Sequence, residues 1–281
     1  MCTSIASLCL LAAGLFYINE PVVTMREEPT EESRVASQAV FSEQIQVGKV
    51  QDGWVSITTS DGYVGWVPSH SFIEVQKPYE ATLKVSRPRA HVFGVKDTEF
   101  GPILTLPYES RIKQVDASDP RWIQVALPNE KLGYIQKGDV APEPILHSKE
   151  ELVLFSQKFL GLPYTFGGRS SFGYDCSGFV QMLYRQIGIN LLRDARQQIL
   201  DLRFKTVEPS NAQPGDLMFF GKSEHKIVHV GMYLGNGTFI HAAVRENQPW
   251  IHVSTLSDLD WNGSRESPFP FRSIRQLITL K

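Results

Sequence analysis

Cysteine is scarce in this chain of 281 residues, which holds only Cys2, Cys9 and Cys176. These are too few for a disulfide scaffold, and because Cys176 has no partner nearby in sequence we expect its thiol to be free. The formal net charge of -2 shows no basic excess, and no cluster of Lys and Arg alternates with aromatic residues, which argues against a nucleic-acid partner. With 42% hydrophobic and 11% aromatic residues, the chain can bury sizeable cores in roughly two or three domains.

A long hydrophobic run is also missing. The apolar stretch at residues 5–18 resembles the core of a signal peptide, but no Lys or Arg precedes Arg26 and the stretch is too short to span a membrane comfortably. A lipoprotein anchor on Cys9 is disfavoured because Leu8 stands where a small residue is expected. Two interpretations of residues 1–20 stay open: a buried N-terminal segment of a cytoplasmic protein, or a signal-like segment that directs export to the cell envelope or periplasm.

Residues 174–180, YDCSGFV, place Cys176 where a glycine-containing loop turns into an apolar helix. Apolar residues recur at helical spacing over residues 179–187, and Gly188 is a plausible stop. Cys176 would then lie in the first turn, where unpaired backbone amides and the positive end of the helix dipole favour an anion. That position suits a nucleophile, because a thiol attacks only as thiolate and its ordinary pKa is about 8.5.

Two histidines far downstream, His229 and His241, complete the pattern of a cysteine nucleophile. Attack on an amide carbonyl requires a thiolate, a base that returns the proton to the leaving amine, and a group that fixes the tautomer of the base. Histidine titrates near neutrality and can perform both proton transfers. The backbone amide of Cys176 is a candidate donor to the oxyanion.

The turn at residues 235–237, Gly-Asn-Gly, decides whether the two histidines can act together. Residues 227–234 and 238–242 are typical of a hairpin, in which residues opposite one another share a face. A regular two-residue turn would put His229 and His241 on opposite faces. A three-residue turn would put Gly231 opposite His241 and His229 on the same face, so joint catalysis predicts the longer turn, with a positive φ at its last glycine.

A repeat precedes this region. The segments WVSI and YVGWV at residues 54–57 and 63–67 recur as WIQV and KLGYI at residues 122–125 and 131–135, an offset of 68 residues from Trp54 to Trp122. Each copy alternates apolar and polar residues in short runs, the pattern of a small antiparallel barrel. Prolines near residues 77–78 and 141–144 indicate linkers after each copy.

These two modules resemble bacterial SH3-like domains, and the rest of the chain resembles the NlpC/p60 family of bacterial cell-wall cysteine peptidases. The second resemblance is carried by ordered motifs: PYTFGG at 163–168, DCSGF at 175–179, GDLMFF at 215–220, HVGMYLGNG at 229–237 and IHA at 240–242. It implies a multidomain fold, with two small all-β SH3-like barrels followed by an α+β papain-like catalytic domain. The expected boundaries are 1–20 for the N-terminal segment, 21–78 and 79–144 for the barrels, and 145–281 for the peptidase domain.

The resemblance also assigns roles. Cys176 would be the nucleophile, His229 the base and His241 the orienting residue. Tyr164 would line the site and help hold the oxyanion, although a packed loop aromatic would explain it equally simply. Two departures from the family pattern, Leu192 for proline and Ala195 for serine, put a substrate hydrogen bond from that segment in doubt.

Substrate binding in the muropeptide-cleaving relatives implies further residues. Asp175 and Ser177 would contact the free N-terminal amine of the substrate, while Asp175 also suits a helix N-cap. Tyr63 and Glu28 of the first barrel would close that end of the pocket. The plainer interpretations are a strand aromatic for Tyr63 and a solvated acidic run around Glu28.

The predicted function is a monomeric cysteine endopeptidase that cleaves the bond between gamma-D-glutamate and a diamino acid in peptidoglycan stem peptides with a free N-terminal L-Ala. An amidase or acyltransferase with the same residues, and a catalytically silent wall-binding module, remain alternatives, as do roles in muropeptide recycling or wall remodelling. We expect no cofactor, no stable membrane span and no metal, because the sequence offers no close-spaced ligand pair. The remaining histidines are expected to be surface or packing residues: His70, His91, His147, His225 and His252.

Overall fold

The computed structural model of the chain describes residues 14–142, 148–245, 247–262, 264 and 269–278. Most of the apolar N-terminal stretch lies outside these residues, but its last part, Leu15–Ile18, forms the first strand of the first sheet. That strand pairs with Phe72–Val75 and with Gln44–Gln51. The first sheet therefore begins at Leu15, earlier than the predicted boundary at residue 21.

The first sheet has seven antiparallel strands in the order β3-β2-β6-β5-β4-β1-β7. Their bounds are β1 Leu15–Ile18, β2 Val22–Arg26, β3 Val35–Val40, β4 Gln44–Gln51, β5 Trp54–Thr58, β6 Val64–Pro68 and β7 Phe72–Val75. Alternate residues point into one core, so that Val55 and Ile57 of β5 are buried beside Met25 and Val67.

The second sheet repeats this arrangement, with the order β10-β9-β13-β12-β11-β8-β14. Its bounds are β8 Leu83–Val85, β9 Arg89–Phe93, β10 Pro102–Pro107, β11 Arg111–Asp116, β12 Trp122–Ala126, β13 Leu132–Gln136 and β14 Val140–Pro142. When β8 is equated with β1 and the later strands follow in turn, the two orders are identical. The internal repeat predicted from the sequence is thus present in the structure.

The remainder of the chain combines helices with a six-stranded antiparallel sheet of order β17-β22-β18-β19-β20-β21. The helices are α1 Lys149–Ser156, α2 Cys176–Gln186 and α3 Ala195–Gln198, and β15 Arg169–Ser170 and β16 Gly173–Tyr174 form a small ribbon. The large sheet contains β17 Phe204–Val207, β18 Leu217–Gly221, β19 Ile227–Gly235, β20 Thr238–Ala243, β21 Trp250–Thr255 and β22 Phe271–Leu277. The sequence predicted α2, β19 and β20 but missed β17 and β21.

Helix α2 lies across the sheet and is buried along most of its length. Phe179, Val180 and Leu183 pack against Val230 and Ile240 of the neighbouring strands. The apolar spacing that predicted the helix is therefore the face that it buries. Within the described residues, no helix has the length and apolar character that crossing a bilayer would need.

Candidate active site

Helix α2 begins at Cys176 because Asp175 caps it. Asp175 has extended backbone angles and its side chain accepts a hydrogen bond of 2.7 Å from the amide of Gly178. A Cβ atom at Gly178 would lie 2.1 Å from the carbonyl oxygen of Gly168. Glycine is required there, and its absence of a side chain lets the loop that carries Tyr164 close against the start of the helix.

The Cys176 thiol is partly buried and its charged form is disfavoured. Burial and then the Asp175 carboxylate raise the pKa of Cys176 to about 12. Hydrogen bonds from the backbone amides of Val230 and Ser177, together with the positive charge of Arg193, act in the opposite direction. The contact with Val230 places the thiol against β19, one residue along the chain from His229.

The β19–β20 hairpin has the register that brings both histidines to one face. Met232 pairs with Ile240 and Tyr233 with Phe239, while Gly235 pairs with Thr238 after a register shift. Continued by one pair, this register sets Gly231 opposite His241. The predicted register is confirmed, but it arises from a two-residue turn combined with a bulge rather than from a three-residue turn.

Both central residues of this turn, Asn236 and Gly237, have positive φ values of 51° and 74°. This pair suits a tight hairpin turn with the twist of the flanking strands. A Cβ atom at Gly231 would lie 3.2 Å from the Cβ of His241. Glycine at that position therefore leaves space for the neighbouring imidazole.

The two imidazoles form a directed chain of hydrogen bonds. Nε2 of His229 lies 2.8 Å from Nδ1 of His241, and Nε2 of His241 lies 2.9 Å from Oγ of Ser254. If His229 is to accept a proton at Nδ1, its Nε2–H must donate to His241, whose Nε2–H then donates to Ser254. In that direction of the chain, His241 and Ser254 hold the tautomer of His229 that can act as a base toward a thiol.

Aromatic rings surround the two hydrogen-bonded imidazoles and keep them neutral. His229 lies 4.8 Å from the ring of the fully buried Trp261, and His241 lies 4.5 Å from the ring of His252, centroid to centroid. Burial, followed by the positive charges of His252 and Arg245, lowers the pKa of His229 to about 3. The pKa of His241 is lowered further by burial and by its two histidine neighbours.

His252 was expected to be a surface or packing residue, and its position in the structure fits that expectation only in part. It is buried and pairs directly with His241 across β20 and β21, and its Nδ1 lies 2.8 Å from the carbonyl oxygen of Trp250. A packing role was predicted and fits the burial. Its position beside the catalytic pair was not predicted, because strand β21 was not recognised in the sequence.

Cys176 opens onto a cavity of about 350 Å³ between the peptidase domain and the first barrel. Its lining includes four further residues that the sequence nominated: Tyr63, Tyr164, Asp175 and Ser177. Glu28 is not in the lining, whereas the adjacent Glu27 is, so the assignment of Glu28 is corrected to its neighbour. Glu27 and Glu28 follow strand β2, and a one-residue change of position decides which side chain faces the cavity.

Tyr164 from the peptidase domain and Tyr63 from the first barrel both line this cavity. Burial, followed by the nearby charges of Cys176 and Asp175, raises the pKa of Tyr164 well above its ordinary value, so its hydroxyl stays protonated and can donate. Burial and then the charge of Asp194 raise the pKa of Tyr63. Both tyrosines therefore present neutral hydroxyl groups.

Arg193 is the main residue whose role the sequence did not reveal. It is 2% exposed and holds both carboxylate oxygens of Asp175, at 3.0 Å and 2.6 Å, while it also donates to Ser177 at 2.9 Å. Its Nε donates to Ser37 of the first barrel at 2.9 Å. A signal was present, since Arg193 lies between the two departures from the family pattern, Leu192 and Ala195, but its bonds join residues that are far apart in the chain.

These features define a cysteine hydrolase whose cavity is shared between two domains, and comparison with known proteins supplies the family. A profile described as the NlpC/P60 family matches residues 161–262, and one described as the bacterial dipeptidyl-peptidase Sh3 domain matches residues 25–72. A "Gamma-D-glutamyl-L-lysine dipeptidyl-peptidase" of Bacillus subtilis (strain 168) is 30% identical over 240 residues, covering 80% of this chain and 77% of the relative. The chain belongs to the NlpC/P60 family.

Two further comparisons agree. A protein of the same name from Bacillus cereus is 29% identical over 235 residues, which cover 76% of this chain and 68% of the relative. The crystal structure of an NlpC/P60 family protein from Bacillus cereus ATCC 10987 superposes with a TM-score of 0.80 at 23% identity, covering 94% of this chain and 99% of that one. The likeness of fold thus extends over nearly the whole chain.

Proposed function

We propose that this protein is a cysteine endopeptidase that hydrolyses the gamma-D-glutamyl–diamino acid bond of peptidoglycan stem peptides with a free N-terminal L-Ala. The observation that carries the proposal is the chain from His229 through His241 to Ser254, beside a thiol that opens onto a cavity of small-peptide size. The printed names of the relatives from Bacillus cereus and Bacillus subtilis support the same bond and a dipeptide product.

The proposed reaction uses these residues in turn. Nδ1 of His229 takes the proton of Cys176 as the sulfur attacks the carbonyl carbon of the gamma-glutamyl group. The oxyanion accepts hydrogen bonds from the backbone amide of Cys176 and from the hydroxyl of Tyr164. The C–N bond breaks when His229 returns its proton to the departing amine, which leaves a thioester. Water, deprotonated by the same imidazole, then hydrolyses the thioester and restores the thiol.

The neutral resting state shapes the first step. Because burial raises the pKa of Cys176 and lowers that of His229, the pair rests as thiol and imidazole rather than as an ion pair. The thiolate is formed by proton transfer within the bound complex. His241 supports that transfer, since its Nδ1 accepts from the developing imidazolium.

The first barrel provides the wall that selects short substrates. Tyr63 and Glu27 face the cavity from the barrel, opposite Asp175 and Ser177. Arg193 already balances the charge of Asp175, so a substrate ammonium also needs the carboxylates of the barrel side and of the neighbouring Asp194. An N-terminal amine would fit this end, and a stem peptide still attached to a glycan strand would meet the barrel.

The finer features of the architecture are part of the same proposal. We assign residues 21–78, extended back to Leu15, and 79–144 to two SH3-like barrels, supported by their identical strand orders. Residues 145–281 form the α+β catalytic domain, and a papain-like arrangement is supported by the nucleophile helix lying against an antiparallel sheet. A monomer suffices for this site, since every residue named in it comes from one chain.

The test is product analysis with L-Ala-gamma-D-Glu-L-Lys and its meso-diaminopimelate counterpart. Mass spectrometry should show release of L-Ala-gamma-D-Glu and the free diamino acid, and Cys176→Ala should lower kcat/KM by at least about 10⁴-fold. Retained cleavage by Cys176→Ala would remove the peptidase. Transfer of the dipeptide to an added amine in preference to water would favour the acyltransferase, and peptidoglycan binding without any turnover would favour the wall-binding module.

A further inference from the structure

The two barrels face the peptidase domain through the same turn. Ser42 follows β3 with a φ of 60°, and Glu109 follows β10 with a φ of 67°. Their amides donate to equivalent carbonyls, Ser42 to Ile18 at 2.9 Å and Glu109 to Val85 at 3.0 Å. Both residues adopt the left-handed conformation that non-glycine residues avoid, so the repeat preserves a costly turn in both copies.

Each turn supplies a carboxylate that holds an arginine of the peptidase domain. Glu43 binds Arg169 through both oxygens at 3.1 Å and 3.2 Å. Glu109 binds Arg185, at the C-terminal end of helix α2, with a shortest distance of 2.8 Å. Arg169 is also paired with Asp61 at 3.4 Å, and Glu109 lies within the electrostatic reach of Lys84 as well as of Arg185.

Between the two turns lies a cavity of about 500 Å³, larger than the cavity at Cys176 and separate from it. Aromatic rings and charged groups share its wall, which includes Tyr17, Phe41, Ser42, Tyr79, Lys84 and Tyr108. This volume lies within the range of roughly 300–1,000 Å³ typical of small-molecule sites. All three domains contribute to it, and such junctions are common places for ligands.

Lys84 is the cation in this wall whose charge is not matched by a bonded carboxylate. It is 5% exposed, and within the described residues its ammonium donates one hydrogen bond, to Oε1 of Gln186 at 3.3 Å, and lies 5.8 Å from the centre of the Tyr108 ring. That oxygen also accepts a shorter bond of 2.7 Å from the hydroxyl of Tyr108. An ammonium has three donors, and Glu109 acts on Lys84 through its charge without a hydrogen bond to it, so donors of a buried group stay unfilled, which is costly. An incoming anion would relieve this cost.

Ser42 gives an independent second indication. Its residue is 8% exposed, and within the described part of the chain its Oγ has no hydrogen-bond partner. The hydroxyl of Tyr79, in the same wall, donates to the carbonyl of Ala126 and accepts from the amide of Lys113, whereas that of Tyr17 accepts from the amide of Tyr79. Ser42 and Lys84 are two polar groups of the wall with bonding capacity left.

We propose that this junction cavity is a second ligand site, distinct from the catalytic cavity, which binds a small carboxylate-bearing molecule. One carboxylate bonds to Lys84, a second polar group of the ligand bonds to Ser42, and the tyrosine rings pack against the ligand's carbon chain. The site spans the C-terminal end of helix α2, whose first residue is Cys176. It does not depend on the proposed peptidase reaction.

The test uses the native full-length protein and glutarate as the probe. Amide NMR spectra recorded during a glutarate titration should show saturable shifts at Ser42, Lys84 and Glu109. The uncharged diamide glutaramide should bind at least about tenfold more weakly, since it cannot form the charge-assisted bond. Equal binding of the diamide, the absence of saturable shifts, or shifts confined to Ser177 and Val228 in the catalytic cavity would each overturn the proposal.

A matched pair of variants tests whether the ammonium of Lys84 is the group that binds the carboxylate. Lys84→Met removes the ammonium while keeping most of the side-chain volume, and Lys131→Met does the same on the exposed face of the second barrel. Glutarate affinity should fall at least about tenfold in the first variant and stay unchanged in the second. Unchanged affinity in Lys84→Met would contradict the site. If that variant does not fold, the comparison of the dicarboxylate with the diamide on the native protein still decides the outcome.

Discussion

The two barrels have the same strand order and the same left-handed turn, yet they serve the peptidase domain differently. The first contributes Tyr63 and Glu27 to the wall of the catalytic cavity. The second contributes no residue to that wall within the described part of the chain, and instead inserts Tyr108 into the hydrophobic core beside Phe155 and Phe159. One copy of the repeat therefore lines the cavity at Cys176, while the other packs into the core of the peptidase domain.

The difference lies in a few side chains rather than in the backbone. At the offset of 68 residues, Tyr63 corresponds to Lys131, which is exposed and faces away from the cavity. At the equivalent turns, Phe41 and Tyr108 occupy the same place, but only Tyr108 joins the core of the peptidase domain. A duplicated barrel thus acquires two functions by substitution on its surface and keeps one fold.

The largest expected effect concerns the ion pairs that attach each barrel. Arg169→Met would leave Glu43 and Asp61 buried without their cation, at 7% side-chain exposure for each, and should lower the free energy of unfolding by about 3–5 kcal/mol. Arg185→Met should cost only about 1–3 kcal/mol, because the Arg185 side chain is 30% exposed. Urea denaturation measures both, and an equal or larger loss for Arg185→Met would contradict the ranking.

The next largest effect distinguishes the two barrels by their influence on the preference for free over N-acetylated stem peptides. Tyr63→Ala should lower kcat/KM about tenfold for stem peptides with a free amine, because the hydroxyl and ring that line this end of the cavity are lost. N-acetylated stem peptides should lose much less. Lys131→Ala, the matched change in the second barrel, should leave both values unchanged. If the ratio between free and acetylated substrates does not move in Tyr63→Ala, the first barrel has no part in selection.

A smaller effect belongs to the peptidase domain alone. Ser254→Ala removes the acceptor for Nε2 of His241 and should lower kcat about three- to tenfold, since the tautomer of His229 is held less firmly. Ser254→Thr keeps the hydroxyl and serves as the control. Free and acetylated substrates should be affected alike, in contrast to Tyr63→Ala. A change confined to KM would argue against an orienting role.

The mildest prediction concerns pH. Protonated His229 cannot accept the thiol proton, and its pKa is lowered to about 3, so kcat/KM should not fall as the pH drops through 6.5. The unfolded chain binds protons at this histidine from about pH 6.5 downward while the folded chain does not, so stability should decrease with acidification over that range. An acid limb of kcat/KM centred near 6.5 would show that the imidazole is not shielded.

Local features of this structure were predictable from sequence, and features that join distant segments were not. The cap at Asp175, the helix at Cys176 and the register of the two histidines each depend on neighbouring residues or on one hairpin. The ion pair of Arg193 with Asp175 and its bond to Ser37 depend on three separate segments. Strand periodicity alone contains no information about such contacts.

The sequence assigned Glu28 to the cavity wall, whereas Glu27 is the glutamate in the lining, and this difference has the same origin. Both glutamates follow β2 and both are exposed, so composition cannot distinguish them. The bend after β2 and the packing of the barrel against the peptidase domain decide which carboxylate reaches the cavity. The Leu15–Ile18 strand was likewise hidden, because its apolar residues continue a run that resembles a signal sequence.

The central claim is that the first barrel closes one end of the catalytic cavity and so selects a free N-terminal amine. The most direct measurement compares kcat/KM of the native protein for L-Ala-gamma-D-Glu-L-Lys and for the same peptide acetylated at its N-terminus, with products identified by mass. We predict cleavage of the gamma-D-glutamyl bond in the free peptide and at least about a hundredfold lower kcat/KM for the acetylated one. Acetylation has this effect because it removes the charge of the amine and adds a group that clashes with the closed end of the cavity. Equal values of kcat/KM for the two peptides would contradict the account.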